Sequence, residues 1–348
     1  MSTVSTVSTV STVAARARRA KTWSSFGHLG RKPSEYEVVT HGMNHTTGTV
    51  PLEMGPEVHG NRWLLKHRDG IALDVAPLEA FRDPDAMTYR KYTTEQDQQE
   101  TYVDGLLAQA AESGRDDTLL SPSAQALLQS VMTPTRYLGH GLQMVSAYVQ
   151  QLARSSYVAN CASFQTADQL RRVQRVACRT RQLADAFPQR GFGRSERQAW
   201  EQARDWQPVR EAVERLLVAF DWDEAFVGLN LVVKPLADEL FLRSFASLAR
   251  EAGDELDALI AENLFRDAQR QRRWTAAATR LLVGAGADNA ARVAALVAQW
   301  QPLGERLVEG GARLLSAHRG EGGAELLADA AIVEWQRFLI EAGLPAPA

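Results

Sequence analysis

Residues 155–188 read SSYVANCASFQTADQLRRVQRVACRTRQLADAFP, and this stretch decides the fold. Apolar residues recur at Tyr157, Cys161, Phe164, Ala167 and Leu170, close to the 3.6-residue period of a helix with one buried face. Pro188 marks the end, because the residue before a proline is driven out of the helical region. One long helix from Ser155 to Pro188 is therefore expected. At its centre lie Asp168, Gln169, Leu170, Arg171 and Arg172. A helix that contributes to a carboxylate-bridged metal pair carries a Glu and a His three residues apart on its inner face. Here those places hold Gln169 and Arg172, which cannot do that work.

Working outward, helical patterns continue in both directions. Upstream, a helix over about 85–113 carries Met87, Tyr89, Tyr92, Tyr102, Leu106 and Leu107, and a shorter one runs from about Pro122 to Gln129. Thr133-Pro134 reads as an N-cap followed by a proline at the first helical position. It opens an amphipathic stripe of Leu138, Leu142, Val145, Val149 and Leu152. Downstream, Gly191-Phe192-Gly193 is a turn into a short helix reaching about Asp205, and Val209 to Phe220 forms another. The segment from Asp221 to Arg250 is apolar around much of its girth, which predicts burial on several sides. Pro235 within it should kink or break it. Asp254 caps a helix to about Val283, a turn over 284–288 follows, and two more helices end near His318 and Glu341. No strand pattern is found. The expected architecture is all-α, a helical domain over 85–348 around a central antiparallel bundle.

The N-terminal part differs. Residues Ser2 to Val13 are four copies of Ser-Thr-Val, followed by a basic AARARRAK. A three-residue period is too short for a solenoid, and residues 1–20 are expected to be a disordered tail. Residues 21–84 form an irregular arm punctuated by glycine and proline. Its Trp23, Phe26, Tyr36, Trp63 and Leu64 are too apolar for a free segment; they need a surface to lie on, either the chain's own body or another subunit, and are the candidate subunit-interface residues. Five of the seven histidines fall there, namely His28, His41, His45, His59 and His67. No cysteine or tight carboxylate set accompanies them, so no metal site is expected in the arm.

Composition narrows the function. An apolar fraction of 45% and an aromatic fraction of 7% place the 348 residues among globular proteins. A net charge of −3 argues against a general nucleic-acid or membrane-surface binder. Cys161 and Cys178, 17 residues apart on one helix, would lie about 25 Å apart, beyond disulfide reach. Both are expected to be buried small hydrophobes in a reduced compartment. No apolar run approaches the roughly 20 residues of a membrane span, and no signal-peptide core is visible. The expectation is a cytoplasmic protein.

Known catalytic patterns are missing. There is no GxSxG elbow and no GxxxxGK[ST] loop. His140 and His318, the histidines of the helical body, follow Tyr137 and Leu315 at three residues' distance, so no Glu-x-x-His pair exists. Asp221, Asp223 and Glu224 at a helix start complement the macrodipole. Asp238 and Glu239, inside the apolar helix, call for an arginine partner such as Arg171 or Arg172. The remaining arginines of RRVQRVACRTR divide between a solvated face and inter-helix pairs.

Several segments in matched order resemble one family: KTWSSFG (21–27), RKPSEYEVV (31–39), AFRDPDAMTYRKY (80–92), TPTRYLGHGLQM (133–144), residues 160–184, GFGRSERQAW (191–200), NLVVKP (230–235) and RDAQRQRRW (266–274). The family is the β (small) subunit of the hydroxylase component of bacterial multicomponent di-iron monooxygenases, of the four-component toluene, alkene or isoprene type. The resemblance covers about Lys21 to Trp274. It implies a ferritin-like helical fold and a structural, non-catalytic role. Catalytic α subunits of the family carry Asp-Glu-x-Arg-His twice. Residues 168–172 resemble the first copy and residues 267–271 the second, each without its Glu and His, so no catalytic, cofactor-binding or metal residue carries over. The resemblance further implies α and γ hydroxylase subunits as partners in a dimer of αβγ trimers, with a di-iron centre in the α subunit. It also implies an effector protein and a Rieske-type ferredoxin acting at the level of the complex, and NADH as the source of electrons for oxidation of aromatic hydrocarbons or alkenes with O2. The competing reading is a stand-alone all-α scaffold that holds an apolar ligand among Phe226, Phe241 and Trp274.

Overall fold

The computed structural model describes residues 24–43, 55, 57–113, 117–318 and 323–346. They belong to two compact units that divide between Val39 and Thr40. The Ser-Thr-Val tail, Trp23 and His45 lie outside the described residues. In the first unit a 3-10 turn, Ser24–Leu29, precedes the helix Glu35–Thr40. Ser34 and Glu37 form a capping box: the Ser34 N–H donates to Glu37 Oε2 at 2.8 Å and the Glu37 N–H to Ser34 Oγ at 3.2 Å. Arg31 grips the same carboxylate with two bonds of 2.9 Å.

The second unit holds all the long helices together with the later part of the expected arm. Leu73, Leu78 and Phe81 are buried, and Asn289 exchanges two hydrogen bonds with the Asp74 backbone at 2.9 and 2.8 Å. The stretch is less irregular than its sequence suggests. A helical turn, His59–Leu64, runs into a π turn, Leu65–Asp69, and a 3-10 turn covers Ala76–Ala80.

The principal helical elements among the described residues then follow. They are α1 (Tyr89–Glu112), α2 (Thr135–Leu152), α3 (Ser156–Ala186), α4 (Gln207–Leu217), a composite α5 from Trp222 to Glu251, α6 (Glu255–Gly284), α7 (Ala287–Ser316) and α8 (Gly323–Glu341). No strand occurs among the described residues. α2 and α3 form an antiparallel hairpin whose close approach needs Gly139: a Cβ there would stand 3.1 Å from Val173 Cγ2. Asp254 caps α6, accepting from the Asp257 N–H at 3.1 Å, as its sequence predicts.

Two local expectations need correction. Thr133 does not cap α2. A π turn, Leu128–Met132, is joined to that helix by a turn at 133–134, Thr133 has helical rather than extended dihedrals (φ −67°, ψ −33°), and its hydroxyl donates to the Gln129 carbonyl at 3.3 Å. Cys161 is buried, but Cys178 is exposed; 17 residues at about 100° each bring it to another side of α3.

α5 is the structural centre. Every residue from 225 to 242 is buried, so that span of the helix has no solvated face and its apolar girth follows. Pro235 does not sever it. Two π segments, Gly228–Val233 and Glu239–Ser244, flank the short α turn Lys234–Asp238, and such wide turns absorb interruptions of the helical ladder. Pro235 has no N–H to offer the Leu231 carbonyl. The indole N–H of Trp335 in α8 donates to that carbonyl instead, at 2.6 Å.

Candidate functional site

The two altered motifs meet in the middle of the bundle, and their arginines are exchanged. Arg270 of α6 donates from Nη2 to both oxygens of Asp168 on α3, at 2.6 Å each. Arg171 of α3 donates from Nη1 to Asp267 Oδ2 on α6 at 2.9 Å. Each Asp-x-x-Arg half thus answers the other, and helical spacing places both residues of a half on one side of its helix. Gln271 adds a bond to Asp168 Oδ2 at 2.7 Å, and Tyr92 of α1 donates to Asp168 Oδ1 at 3.0 Å. Gln96 of α1 donates to Asp267 Oδ1 at 2.9 Å. On the far side of Arg171, Glu100 accepts at 2.6 Å and Asn263 at 2.5 Å.

Burial and the charge of Asp267 push the Asp168 carboxyl up to about 6, while Arg270 and Gln271 hold it down. Asp168 is therefore ionised at neutral pH. Burial, with Asp168 beside it, raises the Tyr92 phenol well above its ordinary value, so it remains a donor. Burial opposes the charge on Arg270, but Asp168 and Asp267 more than offset it. The quartet of two aspartates and two arginines is electrically neutral.

The positions that correspond to metal ligands behave differently. Arg172, where a histidine would stand in the first motif, donates from Nη1 to Asp238 Oδ1 of α5 at 3.0 Å. Lys234, one turn before Asp238, contacts the other carboxylate oxygen. All three side chains are almost fully buried, and burial lowers the pKa of both Arg172 and Lys234. Gln169 stands where a glutamate would and its Oε1 finds no partner among the described residues. In the second motif those places hold Ala268 and Gln271, both buried. A di-iron pair needs several carboxylates and two imidazoles; these residues supply amides, a methyl group and a guanidinium. They do not fit it. Among the described residues no group of three or more His, Cys, Asp or Glu could hold a metal ion.

The pairing expected for Asp238 with an arginine of α3 is thus present through Arg172, whereas Glu239 pairs with Arg272 of α6 at 2.6 Å and with Arg243 at 3.2 Å. Arg179 joins α3 to α6 through Asp257 at 2.8 and 2.9 Å, and to Asp117 at 2.9 and 3.1 Å. Arg181 is the solvated member of the run, paired with Asp185 one turn on. The acidic cluster at the start of α5 has tertiary partners besides the helix dipole: Asp223 takes Arg292 at 2.9 Å and Glu224 takes Gln299 at 2.8 Å.

Among the interface candidates, Phe26 and Tyr36 are buried, and Trp63 and Leu64 are half-buried. Trp63 packs on Phe220, with ring centroids 5.1 Å apart, and donates to Tyr148 Oη at 3.1 Å. His67 beside it bonds Asp221 Oδ1 at 2.8 Å. Of the body histidines, His140 is exposed and His318 meets Ser130 Oγ at 2.8 Å. Phe226 stacks on Trp222 and Phe241 on Trp206, while Trp274 lies 6.0 Å from Phe226. These rings fill the core. A cavity that reaches Phe241 measures about 30 Å³, far below the roughly 150 Å³ that holds a benzene.

Comparison with known proteins agrees with this geometry. Residues 63–286 match the family model described as methane/phenol/alkene hydroxylase. Over 298 residues the chain is 38% identical to the hydroxylase component subunit beta of the toluene-4-monooxygenase system of Ectopseudomonas mendocina, covering 85% of this chain and 90% of that one. It is 28% identical over 169 residues to the hydroxylase component small subunit of propane 2-monooxygenase from Gordonia sp. (strain TY-5), covering 47% of this chain and 45% of that one. The solved structure of toluene 4-monooxygenase with toluene in its resting active site superposes with a TM-score of 0.81 at 37% identity, over 87% of this chain and 100% of that one. Phenol hydroxylase from Pseudomonas sp. OX1 shares the fold, with a TM-score of 0.79 at 17% identity over 99% of each chain. The chain belongs to the methane/phenol/alkene hydroxylase family, as a β subunit of a multicomponent monooxygenase hydroxylase. Among the described residues no helix is long and apolar enough to cross a membrane.

Proposed function

We propose that this β subunit is non-catalytic and buttresses a larger α subunit that carries the di-iron centre. The observation that carries this reading is the replacement at the motif positions. Gln169, Arg172, Ala268 and Gln271 are buried where metal ligands would be, and Arg172 brings a positive charge into the interior. A buried guanidinium repels a divalent cation, while the exchanged ion pairs hold α3 to α6 without one.

In the same reading the complex oxidises an aromatic hydrocarbon or an alkene with O2. The resemblance to toluene 4-monooxygenase supports that substrate class. NADH supplies the electrons through a reductase and a Rieske-type ferredoxin, and α and γ subunits complete a cytoplasmic dimer of αβγ trimers together with a separate effector protein. The residues up to Leu64 add contacts to neighbouring subunits.

Co-expression with the larger hydroxylase chain tests the reading. The expected product is a stable hetero-oligomer in which iron follows the larger chain when the subunits are separated. Stoichiometric iron in this chain purified alone would overturn it. Deleting residues 1–13 is expected to leave assembly intact and deleting residues 1–64 to weaken it, as read by gel filtration of the co-expressed subunits. Equal yields of complex would remove the role given to the arm.

A further inference from the structure

Within the group of Arg172, Asp238 and Lys234, positive charge exceeds negative charge. Arg172 Nη1 donates to Asp238 Oδ1 at 3.0 Å, and Lys234 takes the other oxygen of that carboxylate. Two cations therefore share one anion, a residue of one positive charge in a place where all three side chains are nearly inaccessible. The neighbouring arginines have carboxylates of their own: Arg272 has Glu239 at 2.6 Å, Arg175 has Glu100, shared with Arg171, and Asp104, and Arg179 has Asp117 and Asp257, so the positive excess is confined to the Arg172–Asp238–Lys234 group.

Arg172 is also short of acceptors. Its Nε and Nη2 have no hydrogen-bond partner among the described residues. The side chain lines an interior cavity of about 30 Å³. Arg175 and Arg179 contribute to the same wall, Asp257 is its one carboxylate, and Phe241, Ile260 and Leu264 are among the apolar remainder. A water needs about 10–15 Å³ of such space, so a small ligand fits without opening the fold.

A water molecule would satisfy guanidinium N–H groups but leave the charge uncompensated, and buried unpaired charge is among the costliest features a fold can carry. A small anion would answer both deficits. The apolar remainder of the wall favours an ion that gives up its hydration readily and asks for few donors. We propose that Arg172, backed by the Lys234–Asp238 pair, holds a monatomic halide-class anion in this cavity. The site is structural: the anion neutralises the interior at the place where the altered motif introduces its guanidinium.

The direct test is anomalous diffraction from the full-length chain, in its hydroxylase complex, crystallised in sodium bromide. A bromide peak within hydrogen-bond distance of Arg172 Nε or Nη2 is expected. Water density there, with bromide confined to the surface, would overturn the proposal. Lys234→Met supplies the second arm, since it removes the excess charge and keeps the volume. Bromide binding at this position should weaken at least tenfold, read as the bromide concentration for half-occupancy. Unchanged occupancy in that variant would refute the charge argument, and if the variant does not assemble the wild-type bromide map decides alone.

Discussion

The exchanged ion pairs make a quantitative prediction. Asp168→Asn keeps the shape of the side chain and removes its charge. Arg270 then retains only Asp267 at 3.4 Å and Glu95 at 3.8 Å. Removing one member of a buried pair costs about 3–5 kcal/mol, and these residual partners put the expected loss near the low end, about 3 kcal/mol. For a chain of this length each kcal/mol moves the melting temperature by about 2 °C, so a drop of about 6 °C is expected in thermal unfolding followed by circular dichroism. Arg270→Met should lose a similar amount, because Asp168 keeps its charge with Tyr92, Gln96 and Gln271 as its remaining donors. The double variant removes both charges together and should be less destabilised than the sum by about 2 kcal/mol. Acid should enlarge the effect. The folded carboxyl of Asp168 lies at about 6, above its ordinary value near 3.9. The stability associated with its protonated form is complete below that ordinary value and is lost as the pH rises towards 6. At pH 5 the wild type keeps part of that stability and at pH 8 it has none, whereas the amide does not titrate, so Asp168→Asn should cost more at pH 5 than at pH 8. Additivity within about 0.5 kcal/mol, or a penalty independent of pH, would refute the exchanged-pair account.

Further substitutions probe the parts around the quartet. Trp335→Phe strips the Leu231 carbonyl of its indole donor and should cost about 1–3 kcal/mol for that bond, whereas the indole N–H of Trp300 has no partner among the described residues; equal melting shifts for Trp335→Phe and Trp300→Phe would refute the compensation at Pro235. Burial and the neighbouring Asp257 push the Asp254 carboxyl up to about 8, so its contribution is complete below the ordinary carboxyl range and fades as the pH rises through 8. Asp254→Asn preserves a capping oxygen, and urea unfolding between pH 4 and 8 should show a flatter pH profile in the variant than in the wild type. At Gly228 a Cβ would stand 2.7 Å from Trp300 Cε2, so Gly228→Ala should cost about 1–3 kcal/mol. Gly284→Ala, at the end of α6 in open space, should be neutral or stabilise by up to about 1 kcal/mol in the same thermal assay.

The long helices were legible because burial writes itself as period. The apolar stripe of α2, the girth of α5 and the Asp254 cap all predict what the structure contains. Helix ends at Pro188 and near Glu341 fall within a few residues of the expected positions. What escaped the sequence depends on contacts distant along the chain. Nothing local to Leu128 or Gly228 announces a π turn, because wide turns are selected by packing around an insertion rather than by residue preference. The continuation of α5 through Pro235 rests on Trp335, 100 residues away. Residues 59–83 read as irregular because short turns bury only a few residues each, Leu73, Leu78 and Phe81 among them, too few to establish a period. The exchanged pairing had one visible signal, the recurrence of Asp-x-x-Arg at 168–171 and 267–270. Spacing alone did not show that each aspartate would take the other helix's arginine.

The ion pairs also explain how the bundle holds its alignment where motif ligands are absent. α1, α3, α5 and α6 are joined through Glu100–Arg171, Arg172–Asp238 and the exchanged quartet. Buried ion pairs are poor sources of net stability, since desolvation offsets most of their attraction. Their stronger effect is on which arrangement wins. A slide of α3 along α6 by one turn, about 5.4 Å, would bring Arg172 to the place of Asp168 and set it against Arg270. Two guanidinium groups would then meet without a carboxylate in a region of low dielectric. Apolar packing alone tolerates such shifts far better, because one leucine resembles the next. The charges therefore select one alignment, and they do so with opposite consequences at two points. The quartet is neutral and closed upon itself, whereas the Arg172–Asp238–Lys234 group keeps a positive charge. An interior with that distribution disfavours a divalent cation at the altered motif and favours an anion beside it.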